Sequence, residues 1–296
     1  MKVLNFGSLN LDYVYSVDHM VAPGETLASS GMNIFCGGKG LNQSIALAKA
    51  GVDVYHAGMI GEEGDILLKA CKEGGVNADY IKSIPGKSGH TIIQVDKNGQ
   101  NCILLYGGAN RSITKEYVDE VLAHFEKGDI LLLQNEINML DYIIDQAYEK
   151  KMKIVMNPSP FDDKLSTCDL SKVYLFLVNE IEGEQITGCK DKDQILDAMA
   201  AKFPNARFVL TLGSDGAVYY DGKEKVFQDI FKVKAVDTTA AGDTFTGYFI
   251  AAVIEGRSIQ EALRMAAKAS SIAVSRPGAT PSIPRADEVK KDLGML

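Results

Sequence analysis

Four consecutive apolar residues, Ile130-Leu131-Leu132-Leu133, set the tightest constraint on how this chain can fold. A strand with one wet face alternates apolar and polar side chains, so an unbroken apolar run of strand length belongs in a parallel sheet covered by helices on both sides. Val52–Met59, Ile154–Met156, Val173–Val178 and Phe208–Leu212 have the same β-rich character, and Lys2–Phe6 supplies a first strand. Between these runs, Leu41–Ala50, Asp65–Glu73, Lys115–Phe125, Leu140–Lys150 and Gln194–Phe203 place apolar residues three to four apart, the period of a helix with one buried face. The alternation predicts an α/β fold, a doubly wound and mostly parallel sheet flanked by helices. Ligands of such sheets bind beyond the carboxyl ends of the strands, so the loops that follow strands are where chemistry is expected.

Two stretches break the alternation. Leu11–Asn33 has no helical period, and His90–Val95 with Asn101–Tyr106 reads as two strands joined by a turn at Asn98-Gly99. A hairpin inside an α/β chain predicts a small β-sheet lid, formed by about residues 11–33 and 88–107, within a single domain spanning 1–296. A second hairpin is expected at Ala217–Tyr220 and Val226-Phe227, after which the chain ends in helices at about Ala241–Glu255 and Ile259–Ser275. With 31 Lys and Arg against 39 Asp and Glu, the net charge of -8 offers no field to attract nucleic acid or an anionic membrane. Five dispersed cysteines without a C-x-x-C pair argue against a disulfide framework or a zinc site. No apolar run approaches the roughly 20 residues of a membrane span, and a cytoplasmic protein is expected.

The strongest local motif is Asp237-Thr238-Thr239-Ala240-Ala241-Gly242-Asp243-Thr244-Phe245, which leads into a helix. Small residues there leave the amides of Ala240, Ala241 and Gly242 uncovered at a helix N-terminus, an anion site. Asp243 would repel a resting phosphate, yet it can take the proton of a hydroxyl attacking one; a plain helix-terminal acid is the alternative. Cys36-Gly37-Gly38-Lys39-Gly40-Leu41-Asn42-Gln43 is a glycine cluster at a strand-to-helix turn, open either to a ligand or to close packing. It matches neither the dinucleotide fingerprint nor a P-loop. Asp12 and Glu136 each follow a strand and could grip sugar hydroxyls or remain surface acids. Asn179 and Glu182 have capping-box spacing, with a magnesium water shell as the other reading for Glu182. At Thr211–Gly216, between a strand and a hairpin, glycines could admit a nucleotide, with a plain turn as the other reading. His19, His56, His90 and His124 lack metal-ligand spacing, and only His90, on the lid, could face a substrate.

Taken in order, these motifs resemble the ribokinase-like (PfkB) family of carbohydrate and nucleoside kinases. Gly37–Gln43 looks like its first signature and Asp237–Phe245 like its second, while Pro23-Gly24-Glu25-Thr26, Asn179–Glu182, Thr211-Leu212-Gly213 and Arg276–Ser282 extend the likeness along nearly the whole chain. The resemblance implies an ATP-dependent kinase that moves the γ-phosphoryl group to a hydroxyl of a small sugar, ribose or a related furanose. It implies a sugar pocket of Asn10, Asp12, Gly38, Lys39, Asn42 and Glu136, with Asp243 as general base and Ala240, Ala241 and Gly242 as the anion hole. Asn179, Thr211, Gly213, Ser214, Gly216 and Gly242 would hold ATP, and Glu182 would organise Mg²⁺ through water. A K⁺ site would draw on Asp237, Thr239, Ala273, Arg276, Gly278 and Ser282, and the lid would mediate a homodimer. The chain departs from the pattern at Ala240, where many relatives carry Gly, and at Ser88-Gly89-His90-Thr91 in the lid. A nucleoside, fructose or keto-sugar kinase, or a catalytically silent sugar- or nucleotide-binding regulator, are the alternatives.

Overall fold

The computed structural model describes residues 1–295. In chain order the elements begin with β1 (Val3–Phe6), β2 (Asn10–Ser16), β3 (Gly31–Gly37), α1 (Lys39–Lys49), β4 (Val54–Ile60), α2 (Asp65–Gly74), β5 (Asn77–Ser83), β6 (Gly89–Val95) and β7 (Asn101–Tyr106). They continue with α3 (Lys115–Leu122), β8 (Ile130–Gln134), α4 (Leu140–Glu149), β9 (Lys153–Asn157), β10 (Leu175–Asn179), α5 (Glu180–Thr187), α6 (Lys192–Lys202) and β11 (Arg207–Thr211). The last are β12 (Ala217–Tyr220), β13 (Lys225–Gln228), α7 (Ala241–Ile254), α8 (Ile259–Val274) and α9 (Ala286–Asp292).

Among the described residues nine strands form one sheet in the order β13-β12-β11-β10-β9-β8-β1-β4-β5, parallel from β11 through β5, with an antiparallel hairpin at the β13 edge. Its two faces each carry a core, which is why the central strands are apolar without alternation. On one face Val3, Leu132 and Val209 pack with Leu41 and Leu47 of α1, Tyr248 and Phe249 of α7, and Leu263 of α8. On the other, Leu4, Leu131 and Phe176 pack with Val118 of α3, Ile143 and Ile144 of α4, and Leu196 of α6. The predicted doubly wound α/β architecture is the observed one. Among the described residues no helix is long and apolar enough to cross a membrane.

The lid is a second sheet in the order β3-β2-β6-β7, with β2 and β6 parallel and the other pairs antiparallel. It is larger than expected, because β3 runs to Gly37 and joins β2 instead of the main sheet. Two further elements escaped the sequence reading. Edge strand β5 mixes charged and apolar residues because only part of it is covered, and α9 follows Ile259–Val274 on a weak apolar pattern anchored by buried Val289. Asp12, within the stretch 11–33 expected to form the lid, lies in lid strand β2 in register with Thr91.

Candidate active site

Strand order reverses between β1, which continues to β4 and β5, and β8, which continues to β9, so the crevice beyond these two carboxyl ends is the switch point of the sheet. The loop after β1 and the loop after β8 meet there. Ser8 Oγ hydrogen-bonds the Glu136 carboxylate, which also accepts the Lys39 amide at 2.9 Å. Ser8 accepts the next two amides of α1, from Gly40 to Oγ (3.2 Å) and from Leu41 to its carbonyl (3.0 Å). A carboxylate at a helix N-terminus is favoured by the helix dipole, so Glu136 and the start of α1 hold each other in place.

The glycines between β3 and α1 make this approach feasible. Gly38 has φ 91°, a left-handed conformation that suits glycine, and a side chain at Gly40 would run into the backbone of Gly7, 2.6 Å from its carbonyl carbon. The cluster therefore packs the β1 loop against α1 and at the same time lays Gly38, Lys39 and Asn42 along the crevice. From the lid, Thr91 Oγ1 donates to Asp12 Oδ1 at 2.5 Å, and Asn10 Oδ1 accepts from Asn110 at 2.7 Å. Burial, reinforced by the Glu136 charge and opposed by the Thr91 hydrogen bond, raises the Asp12 pKa. Burial also raises Glu136 against the opposing pull of Ser8 and Lys39. At Lys39 burial works against the charge, but the carboxylates of Asp243, Glu136 and Glu182 outweigh it and raise the pKa. The crevice therefore gathers acidic groups around one ammonium.

Helix α7 starts at the same crevice. Ala240 sits at its N-cap with φ 60°, and nothing lies within 4 Å of where a side chain at Gly242 would project. Among the described residues no backbone partner takes the amides of Ala240 or Gly242, but the Ala241 amide, expected to be uncovered, donates to the Thr238 carbonyl at 3.2 Å. Asp243, one residue further, is buried, and both of its oxygens are engaged. Asn42 Nδ2 donates to Oδ2 and Gln43 Nε2 to Oδ1, each at 2.9 Å. Among the described residues, the buried acceptor Asn42 Oδ1 has no partner.

The remaining expected residues fall on two flanks. Asn179 and Glu182 form a complete capping box on α5, and Glu182 oxygens accept both the backbone and the side-chain N–H of Asn179. In the turn after β11, Gly213 is open on its Cα, whereas Gly216 is pressed against the Gln228 carbonyl and serves the β12–β13 hairpin. Ser214 is exposed there, beside Asp215. On the other flank Asp237 accepts the Thr239 amide (2.8 Å) and, across the fold, the Gly278 amide (2.9 Å). Ala273 and Ser282 complete this loop, with the Arg276 amide on the Ala273 carbonyl (3.0 Å) and Ser282 Oγ on Ala279 O (2.7 Å), while the Arg276 guanidinium pairs outward with Glu288. His90 packs against Tyr13 and Tyr106 and bonds the Ser88 carbonyl.

The family model for pfkB carbohydrate kinases matches residues 1–286. The chain belongs to that family. It is a carbohydrate kinase, a phosphotransferase whose acceptor is an alcohol group. A ribokinase of Haemophilus influenzae is 35% identical over 300 residues, covering 97% of this chain and 96% of its own. The ribokinase of Thermotoga maritima superposes with a TM-score of 0.88 at 34% identity, covering 99% of each chain. The Arabidopsis thaliana ribokinase complexed with ribose and ATP does so at 0.85 with 30% identity, covering 98% of this chain and 97% of that one.

In this pfkB member the residues that sequence reasoning missed are amides. Gln43 was visible only as the end of the glycine motif, and Gln134, Asn157 and Asn5 only as polar residues at strand positions. The available signal was their presence at the carboxyl ends of otherwise apolar strands, where a buried amide costs about 1–3 kcal/mol unless it is paired.

Proposed function

We propose that the chain transfers the γ-phosphoryl group of ATP to a hydroxyl of ribose or a closely related furanose, with Asp243 as the group that accepts the hydroxyl proton. The observation that carries the reading is the placement of Asp243: it stands at the open start of α7, its carboxylate aimed by Asn42 and Gln43, at the crevice where Glu136, Lys39 and the lid's Asp12 converge. Asn10, Asp12, Lys39 and Glu136 supply donors and acceptors for several sugar hydroxyls, and the Gly38 backbone lets the ring approach. The unpartnered Asn42 Oδ1 suits a hydroxyl donor beside the base. Ribose is favoured because relatives of this name cover the chain end to end and one is complexed with ribose and ATP.

Phosphoryl transfer requires little covalent help; alignment of the hydroxyl and stabilisation of developing charge supply most of the rate. The free amides of Ala240 and Gly242, at the positive end of α7, would stabilise charge on the transferring group, with the Ala241 amide available once it leaves Thr238. The turn at Thr211–Gly213 with Ser214, the α5 start at Asn179 and the open edge of Gly242 would receive the nucleotide. Gly216 would act only by shaping that turn. Each Glu182 oxygen keeps a lone pair beyond its Asn179 bonds, which fits an outer-shell role through water. The described residues contain no cluster of three acidic, His or Cys side chains able to grip a metal by themselves, which fits Mg²⁺ arriving on the nucleotide's phosphates. Mg²⁺ would supply charge neutralisation across those phosphates. For K⁺, Asp237 and the 276–282 loop already meet through Gly278, and the carboxylate with the Ala273, Arg276 and Gly278 carbonyls, Thr239 and Ser282 would form a hard oxygen cage.

We further propose a homodimer through the lid, whose outer face presents Ile34, Ile92 and Leu104, aligned across the sheet and exposed. The central test is Asp243→Asn, assayed by ADP release with ribose. Turnover is expected to fall by about 10² or more with ribose binding retained. Near-normal turnover would remove Asp243 from the reaction.

A further inference from the structure

Asn5 of β1, Gln134 of β8 and Gln43 of α1 are at most 1% exposed, a buried polar group set within the apolar cores of the two sheet faces. With Asn157 of β9 they form a row of amides across three adjacent strands, and the row ends on Asp243. We infer that Gln43 is a positioning residue for the Asp243 carboxylate, aimed by that row; the inference rests on reading Asp243 as the proton acceptor.

The direction of every amide is dictated from the two ends. Asn5 Nδ2 donates to the Gly40 carbonyl at 2.7 Å, and a carbonyl can only accept, so Asn5 Oδ1 must face Gln134. Gln134 Nε2 donates to Asn5 Oδ1 (3.0 Å) and to Gln43 Oε1 (2.7 Å). From the other side Asn157 Nδ2 donates to the Leu177 carbonyl (2.9 Å), which leaves Asn157 Oδ1 to accept Gln43 Nε2 at 2.9 Å. Both neighbours therefore compel Gln43 to present its NH₂ group, and not its oxygen, to Asp243 Oδ1. A flipped Gln43 would set oxygen against carboxylate and oxygen against Asn157 Oδ1, leaving buried acceptors unpaired. The row is backed behind Asn5 by Ser44 Oγ (2.8 Å) and His56 Nδ1, and Gln134 is held through its Nε2 alone, its Oε1 having no partner among the described residues.

An amide row does not conduct protons; what it controls is orientation. With Asn42 on Oδ2 and Gln43 on Oδ1, the carboxylate is held at both oxygens, each retaining capacity to accept a proton from a sugar hydroxyl. The reaction therefore meets a base already aligned, without paying for its ordering at the moment of transfer.

Gln43→Leu and Gln43→Glu should be compared with wild type and Asp243→Asn for kcat, KM of ribose and ATP, the pH profile of kcat, and thermal melting. Gln43→Leu is expected to lower kcat by about tenfold to a hundredfold with both KM values within about threefold. Gln43→Glu is nearly isosteric and remains informative if the leucine variant fails to fold. It places a second carboxyl beside Asp243, so the two must share a proton and the acid limb of the profile should move up by about one pH unit or more. A Gln43→Glu protein that folds with the wild-type pH profile overturns the inference, whether or not its melting temperature falls, since a purely structural amide lowers stability without moving the profile. An inactive Asp243→Asn alongside wild-type behaviour in both Gln43 variants overturns this inference alone. Near-normal Asp243→Asn overturns the base assignment beneath it.

Discussion

Helices α1 and α7 carry the two sides of the Asp243 contact, and one turn beyond it they touch where Gly247 faces Ala46. A methyl group added at Gly247 would lie 2.9 Å from both the Ala46 carbonyl carbon and the Leu47 nitrogen, and closer still to the Ala46 side chain. Ordinary carbon contacts are about 3.5–4.0 Å, so Gly247→Ala requires the helices to separate by about 1 Å. Neither can yield by a rotamer change, because the obstructing atoms are backbone and Cβ. Overpacking of this kind costs about 1–3 kcal/mol, which for a chain of this size lowers the melting temperature by about 2–5 °C. The same separation would stretch the 2.9 Å bonds from Asn42 and Gln43 to Asp243 beyond hydrogen-bond range. Misplacement of a reacting group by about 1 Å can cost about 10² in rate. Differential scanning fluorimetry and a coupled ADP-release assay on the same preparation read both effects. If Gly247→Ala keeps kcat within about twofold while the melting temperature falls, the α1–α7 contact stabilises the fold without setting the geometry of Asp243, the proposed proton acceptor.

Burial draws the His56 pKa from 6.5 to about 4 against the weaker opposing pull of the Gly7 carbonyl. The unfolded chain then takes up this proton first as pH falls, so the stability from the neutral imidazole is complete above about pH 6.5 and lost towards pH 4, about 3 kcal/mol in all. His56→Gln should flatten that part of the stability–pH curve in urea titrations, and an unchanged slope would contradict the burial argument. K⁺ replacing a bulky organic cation at constant ionic strength should raise activity, and Asp237→Ala should abolish most of the gain; equal rates with the two cations would remove the proposed site. Leu104→Asp should shift the sedimentation of the protein from the proposed dimer to monomer by charging the outer face of the lid, and a wild-type sedimentation profile would exclude that face as the interface.

Much of this molecule was legible in one dimension because burial imprints itself on sequence at short range. Ile130–Leu133 could be placed at the centre of a two-sided sheet, Leu41–Ala50 as a helix, and the lid hairpin from its turn, since each depends only on period and on residues within one element. The start of α7 was legible for the same reason: small residues before an acid and an apolar run describe a helix terminus wherever the chain places it. What tertiary structure alone decided was which groups face one another. The lid took in the end of β3, residues 34–37, because pairing partners, not local propensity, assign a strand to a sheet. The Ala241 amide turned to Thr238, and Gly216 to the β12–β13 hairpin, for similarly local but unencoded geometric reasons. Gln43 meets Asp243 across 200 residues of chain. A glutamine carries no periodicity that names its partner; only when the strand order brings Asn5, Gln134 and Asn157 side by side do the donors and acceptors of its neighbours give that side chain a direction.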